Sequence, residues 1–160
     1  MAGRLGFAVI EQAMNVFFAA NGIGTEIAAQ KLLPLIRSPL AMGLLGGRYA
    51  SGHRFDPDDI RSRTTDWMDY FKDGMVTADH AARLDRVRDL LTAGGRSMAQ
   101  GAVSWILARN ARAVPLPGFR TVEQVEDLCG ALSKGPLDPT ALAAVESVVQ
   151  RAHEGPPRER

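Results

Sequence analysis

The sequence predicts an α/β domain built on a parallel sheet, and three observations predict it. Short β-prone apolar runs alternate with segments of helical periodicity, which implies parallel strands joined by crossovers. Of the 160 residues 46% are hydrophobic, enough for a real core and far from the composition of a disordered chain. Three helix starts carry capping signals beside apolar stripes.

The elements follow in order. Phe7-Ala8-Val9-Ile10 opens a buried strand over residues 7–14, which Asn15 to Phe18 extend or end. Ile23 and Ile27, at i and i+4, predict a helix over 23–30 whose start Gly22 and Gly24 weaken. A second apolar run, 32–36, predicts a strand that Pro34 confines to an edge or makes irregular. Residues 46–76 are rich in Gly, Asp, Arg and Ser with scattered aromatics. A stretch of ~30 residues without periodicity exceeds ordinary connections of about 4–6 residues, and predicts a long binding loop or lid, with a short helix near 66–71.

From Thr77 the pattern is helical, with Leu84, Val87, Leu90 and Leu91 on one face and Gly94-Gly95 as the stop. Ser97-Met98-Ala99-Gln100 has capping-box spacing and opens a helix through Arg109, with Val103, Ile106 and Leu107 inward. Residues 113–116 read as a strand, and Thr121-Val122-Glu123-Gln124 as a second capping box. Asp138-Pro139 supplies N-cap and N1 of a last helix reaching about Ala152, ahead of Gly155-Pro156-Pro157 and a flexible tail, 153–160.

Charge and motifs exclude several function classes. Lys plus Arg number 19 against 18 Asp plus Glu, which leaves no broad footprint for nucleic acid or an anionic membrane; any anion site must be local. The single Cys129 allows neither an internal disulfide nor a cysteine metal cage, in keeping with a cytoplasmic setting. No run approaches the roughly 20 apolar residues of a membrane span, and 7–10 is too short for a signal-peptide core. Metal-ligand spacing, P-loop, G-x-S-x-G and G-x-G-x-x-G patterns are absent from the sequence.

One local anion site does stand out. Pro115-Leu116-Pro117-Gly118-Phe119-Arg120-Thr121-Val122 runs from an apolar segment through a Pro/Gly turn with an arginine into a helix. Such a turn lets backbone approach a ligand, the first helical turn offers unpaired N–H groups, and the guanidinium suits phosphate. Ser38-Pro39 ends the second strand and sets a hydroxyl and N–H groups beside a rigid turn. By itself a Ser-Pro pair is a common turn signal.

Together, Ser38-Pro39-Leu40-Ala41-Met42-Gly43-Leu44-Leu45 and residues 115–130 resemble the C-terminal, NADP-binding half of an aldo-keto reductase. That family folds as a (β/α)8 barrel, which usually takes about 250 residues and has its phosphate site after strands seven and eight. The resemblance implies that 7–14, 32–36 and 113–116 are barrel strands six, seven and eight. Residues 1–160 would then be the C-terminal part of one reductase domain, a partial barrel that does not close within this chain.

The resemblance also implies site roles. The 38–45 segment contacts the cofactor pyrophosphate in the family, which nominates Ser38, Leu40 and Gly43. Gly118, Arg120, Gln124 and Asp127 fall at the adenosine end, and Arg120 favours NADP(H) because a guanidinium binds the extra phosphate bidentately. Asp127 replaces the usual Glu, and Leu128 stands where Asn is typical, which removes an amide that bonds the adenine. Arg37 takes the place of an aromatic residue stacked on the nicotinamide, and Glu11 the place of a carboxamide-binding Gln. Phe55-Asp56-Pro57-Asp58-Asp59-Ile60-Arg61 and Trp67-Met68-Asp69-Tyr70-Phe71-Lys72-Asp73-Gly74 are similar to the family loop that covers the cofactor and shapes the pocket for a small carbonyl substrate.

The family reduces carbonyls by hydride from NADPH, with a tyrosine proton donor supported by Lys, Asp and His on strands two to four. This chain offers no such tetrad. Its tyrosines, Tyr49 and Tyr70, lie in the long loop without a lysine partner, and His53, His80 and His153 read as loop and helix-surface residues. The expectation is therefore a cofactor-binding half with no catalytic residues and no activity alone. The alternative is a non-catalytic half-barrel that pairs with itself or a complementary chain through open sheet edges.

Overall fold

The computed structural model describes residues 8–19, 27–49, 52–63 and 69–149. Strand β1 (Val9–Asn15) pairs in parallel with β3 (Leu33–Arg37), which pairs in parallel with β6 (Val114–Leu116). The two-residue β2 (Phe18–Ala19) folds back antiparallel on Met14 and Asn15, giving the order β2-β1-β3-β6. The parallel sheet and its three predicted strands are present; the antiparallel return was not anticipated. Most of the helix expected over 23–30 lies outside the described residues, and 27–29 close a helical turn with Ile27 buried.

Pro34 does not confine its strand to an edge, for β3 is the central strand of the parallel three. The register explains why. The Leu33 N–H bonds the Ala8 carbonyl, so alternate residues Pro34 and Ile36 point their backbone nitrogens toward β6. Pairing with β6 begins only at Leu35, so the missing donor of Pro34 faces no acceptor.

The described residues of the long connection after β3 carry more regular structure than the sequence suggests. Residues 41–46 wind as tight 3₁₀ turns, Ile60–Ser62 form another, and β4 (Phe71–Lys72) pairs antiparallel with β5 (Met75–Val76). The short helix expected near 66–71 is thus corrected at Phe71, which is a buried strand residue; 64–68 lie outside the described residues. Asp73 and Gly74 both have positive φ, 52° and 73°, and Asp-Gly is the two-residue hairpin turn that matches strand twist.

Three helices are built as their sequences dictate. In α1 (Ala78–Thr92) Leu84, Val87 and Leu91 are buried, and the chain turns off through Gly94 at φ 69°. In α2 (Met98–Arg109) Ser97 and Gln100 form the complete capping box. In α4 (Pro139–Val148) Asp138 accepts from the Ala141 N–H at 2.8 Å; the helix stops at Val148, short of Ala152, with Val149 leaving helical geometry at ψ 99°.

The core lies between the sheet and this helical layer. Helix α2 is buried continuously from Met98 to Ile106, not on one face alone, because glycines let its neighbours close in on both sides. A Cβ on Gly101 would stand 2.1 Å from the Leu91 carbonyl oxygen of α1. Trp105, fully buried, donates its indole N–H to Glu146 of α4 at 2.9 Å. Among the described residues the opposite sheet face is the more exposed one: Val9, Val114 and Leu116 are 45%, 39% and 44% exposed.

Candidate functional site

Two backbone features frame a cleft at the C-terminal ends of β3 and β6. The first is the turn after β3. Ser38, Ala41 and Met42 all have positive φ (54°, 49° and 56°), which disfavours L-residues, and Gly43 follows at 92°. The turn is held by the Ala41 N–H on the Ser38 carbonyl at 3.0 Å, and by the Gly43 and Leu45 N–H groups on the Leu40 carbonyl. Ala41, Leu44 and Leu45 are fully buried beneath it.

The second feature is the mouth of α3 (Val122–Lys134). Thr121 caps it, accepting from the Gln124 N–H at 3.3 Å. The predicted reciprocal bond is displaced by one residue: Gln124 Oε1 accepts from the Arg120 N–H at 2.6 Å rather than from Thr121. The Gln124 side chain is therefore a clasp that shapes the Arg120 turn. At the same helix mouth the Glu123 backbone N–H and the Thr121 hydroxyl hold the Glu123 carboxyl below the ordinary carboxylate range.

Between these features the cleft has a volume of about 670 Å³, within the range of small-molecule sites. Ser38, Leu40 and Gly43 line one side; Gly118, Arg120, Gln124 and Asp127 line the other. Arg37 is not among the lining residues. Its side chain is 60% exposed on the more exposed sheet face, 3.6 Å from the Glu11 carboxylate.

Asp127 lines the cleft but its carboxylate turns inward. It accepts from the Ser97 hydroxyl at 2.8 Å and from the Gln100 amide at 3.0 Å, and the same amide reaches the Asp127 carbonyl at 2.9 Å. One carboxylate thus ties α3 to the cap of α2. Gly130 makes room for the tie, since a Cβ there would stand 2.6 Å from the Gln100 amide nitrogen.

The long loop supplies a third wall that the sequence reading did not assign residue by residue. The Arg61 guanidinium pairs with the Asp59 carboxylate at 2.5 Å and lies 4.2 Å from the Phe55 ring centre and 5.2 Å from that of Tyr49. It also donates to the Tyr49 hydroxyl and, at 3.4 Å, to the Met42 carbonyl. Hydrogen bonds from Arg61 hold the Asp59 carboxyl down at about 2, and the pair holds Arg61 above its ordinary value. Gly43 permits this approach: a Cβ there would meet Arg61 Nη1 at 3.2 Å. The available signal was the Asp59-Ile60-Arg61 run in the family-like loop segment, whose ion pair is local.

The described cleft lining includes Tyr49 but no lysine or histidine. His80 packs edge-on to Tyr70 at 5.1 Å and bonds the Thr77 hydroxyl through Nδ1 at 2.8 Å; burial pushes its imidazole down. Burial likewise pushes the Tyr70 phenol up. Among the described residues no helix is long and apolar enough to cross a membrane.

With the fold and cleft in place, comparison with known proteins decides the family. The aldo/keto reductase family model matches residues 1–150. The chain belongs to the aldo/keto reductase family. This aldo/keto reductase chain is 31% identical over 119 residues to the uncharacterized oxidoreductase YrpG of Bacillus subtilis, covering 74% of the chain and 31% of the relative. It is 30% identical over 119 residues to the aldo-keto reductase str7 of Strobilurus tenacellus, covering 72% and 32%. The match thus spans about a third of each of these relatives. Among solved structures, the glycerol dehydrogenase AKR11B4 of Gluconobacter oxydans superposes with a TM-score of 0.73 at 22% identity, covering 96% of this chain and 45% of that one. At that identity the likeness speaks for the fold, an α/β sheet that does not close within this reductase chain.

Proposed function

We propose that residues 1–160 form the NADP-binding part of an aldo/keto reductase domain, supplying strands six to eight of a (β/α)8 barrel as β1, β3 and β6. In a complete barrel the domain interconverts a small aldehyde or ketone and its alcohol. The observation that carries this reading is the convergence of the strained Ser38 turn and the Arg120 helix mouth on one cleft. A cytoplasmic setting belongs to the same reading.

The residues present fit a dinucleotide. A side chain at Gly43 would be strained by φ 92° and would press on Arg61 Nη1 at 3.2 Å, and Gly118 has open space where a Cβ would stand, so backbone can approach phosphoryl groups on both sides. Ser38 offers a hydroxyl, Leu40 an apolar wall, and exposed Arg120 a fork for the 2′-phosphate. Gln124 and Asp127 act at the adenosine end by setting the Arg120 turn and the α3 axis, and Arg37 flanks the nicotinamide end, steadied by Glu11. When bound, the reduced cofactor supplies a hydride. Among the described residues the cleft lining offers no lysine or histidine for a proton-donating tetrad, so in this reading the chain by itself binds cofactor without turnover.

Calorimetric titration tests the reading. NADPH binds more tightly than NADH, and Arg120→Met weakens NADPH roughly tenfold, the loss of one charge-assisted contact, while leaving NADH unchanged. Equal affinity for both cofactors removes the NADP assignment; silence toward both at millimolar concentration removes the cofactor site.

A second reading, a non-catalytic module that pairs with itself or a complementary chain, is favoured by the more exposed sheet face around Val9, Val114 and Leu116. Light scattering separates the two. A stable dimer indifferent to NADPH supports the module, and a monomer that binds NADPH supports the reductase part.

A further inference from the structure

A buried amide outside the cleft lining lies against the strained turn. Asn15, at the end of β1, is 1% exposed. Its Oδ1 accepts from the Phe17 N–H at 2.9 Å, which fixes the amide orientation, because the reverse would oppose two donors. Its Nδ2 then donates both protons: one to the Ser38 carbonyl at 3.1 Å, one to the Tyr70 hydroxyl at 3.1 Å. A single side chain joins the end of β1, the turn whose Ser38 has φ 54°, and the base of the β4–β5 hairpin, where the Tyr70 carbonyl accepts from the Thr77 N–H.

We propose that Asn15 is the positioning residue of the Ser38 turn: its amide clamps the Ser38 carbonyl so that a serine holds a left-handed backbone that presents the 38–43 segment to the cleft. A non-glycine residue keeps such a φ only when its surroundings over-determine it. Here the Ser38 carbonyl receives two donors, Ala41 N–H from within the turn and Asn15 from β1, and the second ties the turn to the sheet. Tyr70 takes the other proton, so the same amide registers the loop hairpin against the turn.

The test is amide hydrogen exchange on the intact chain, read as protection factors. Asn15→Asp keeps the acceptor for Phe17 but at pH 8 has no proton for Ser38 or Tyr70. Protection of Ala41, Gly43 and Leu45 falls about tenfold, one hydrogen bond's worth, while helix α4 is unchanged. At pH 5 the carboxyl, whose protonation is favoured by burial, regains one donor and protection returns toward the parent's. The parent measured at both pH values removes the contribution of His80, which packs on Tyr70. Tyr70→Phe, which leaves the Ser38 bond intact, changes Ala41 protection less than about twofold. If Asn15→Asp does not fold at pH 8, Asn15→Ser, too short to span both partners, serves the same comparison.

A second arm rests on the cofactor reading: the NADPH dissociation constant rises about tenfold in Asn15→Asp at pH 8 and recovers at pH 5. A parent that binds no NADPH refutes that reading alone, and the exchange arm still decides the positioning role. Unchanged Ala41 protection in a folded Asn15 variant, or an equal loss in Tyr70→Phe, overturns the proposal.

Discussion

Asp127 offers a sharp test of how the cleft is built, because two roles for it predict different numbers. As a ligand to adenine, its loss would cost cofactor affinity and little stability. As a strut between helices, its loss costs the fold. In Asp127→Ala the Ser97 hydroxyl and the Gln100 amide each lose a carboxylate acceptor, held at 2.8 and 3.0 Å. Hydrogen bonds to charged groups are worth about 1.5–3 kcal/mol, and a partly solvated pair sharing one acceptor falls at the low end, so the loss is about 2–3 kcal/mol. Gln100 keeps the Asp127 carbonyl at 2.9 Å, which caps the damage. For a chain of this length each kcal/mol shifts the midpoint by about 2–4 °C, so Tm falls by about 4–12 °C. Thermal melts followed by far-UV circular dichroism measure it, with NADPH titration below the transition. A drop under 2 °C combined with a tenfold affinity loss would refute the strut and restore Asp127 as a ligand.

Two other expectations follow from the packing and the ionisation. Gly101→Ala lowers stability by about 1–3 kcal/mol despite alanine's better helix propensity, because the new Cβ meets the Leu91 backbone at 2.1 Å; chemical denaturation reads it, and a stabilised variant would show that α1 and α2 separate freely. The Asp59 carboxyl lies at about 2 against an ordinary 3.8, so its contribution is complete above pH 4 and fades as pH falls toward 2; at about 1–2 kcal/mol after allowance for solvent screening, it disappears in Asp59→Asn, whose pH 3 and pH 7 stabilities should lie closer together than the parent's.

The parts of this fold legible in the sequence are those specified within four residues. Ser97, Thr121 and Asp138 each cap a helix by accepting from the N–H three positions on, so residue type and spacing carry the whole signal. The strands of the parallel sheet announce themselves as apolar runs. The two-residue strands do not: β2 and β4–β5 are too short to show alternation, and β4–β5 was marked only by the Asp73-Gly74 turn. Pro34 misled because its effect depends on where a neighbouring strand starts, 80 residues later in sequence at Val114.

The candidate site divides the same way: the segments that line the cleft are legible in the sequence, and the contacts that hold them are not. The cleft-lining residues that the proposed function assigns to the cofactor lie in contiguous segments, 38–43 and 118–127, whose Gly, Ser and Arg chemistry reads directly. Those that hold the segments in place act across the chain: Asn15 reaches Ser38 over 23 residues and Tyr70 over 55, and Asp127 reaches Gln100 over 27. Such contacts leave no periodicity, since each needs one buried amide or partly buried carboxylate at one position. A polar residue at a strand end or helix turn then looks like a solvated surface until burial and partners are known. Asp127 shows the consequence. Its position on the cleft-lining helix suggested a contact outward, yet its partly buried donors, Ser97 and Gln100, lie inward, and a charge goes where desolvated donors would otherwise be left unpaired.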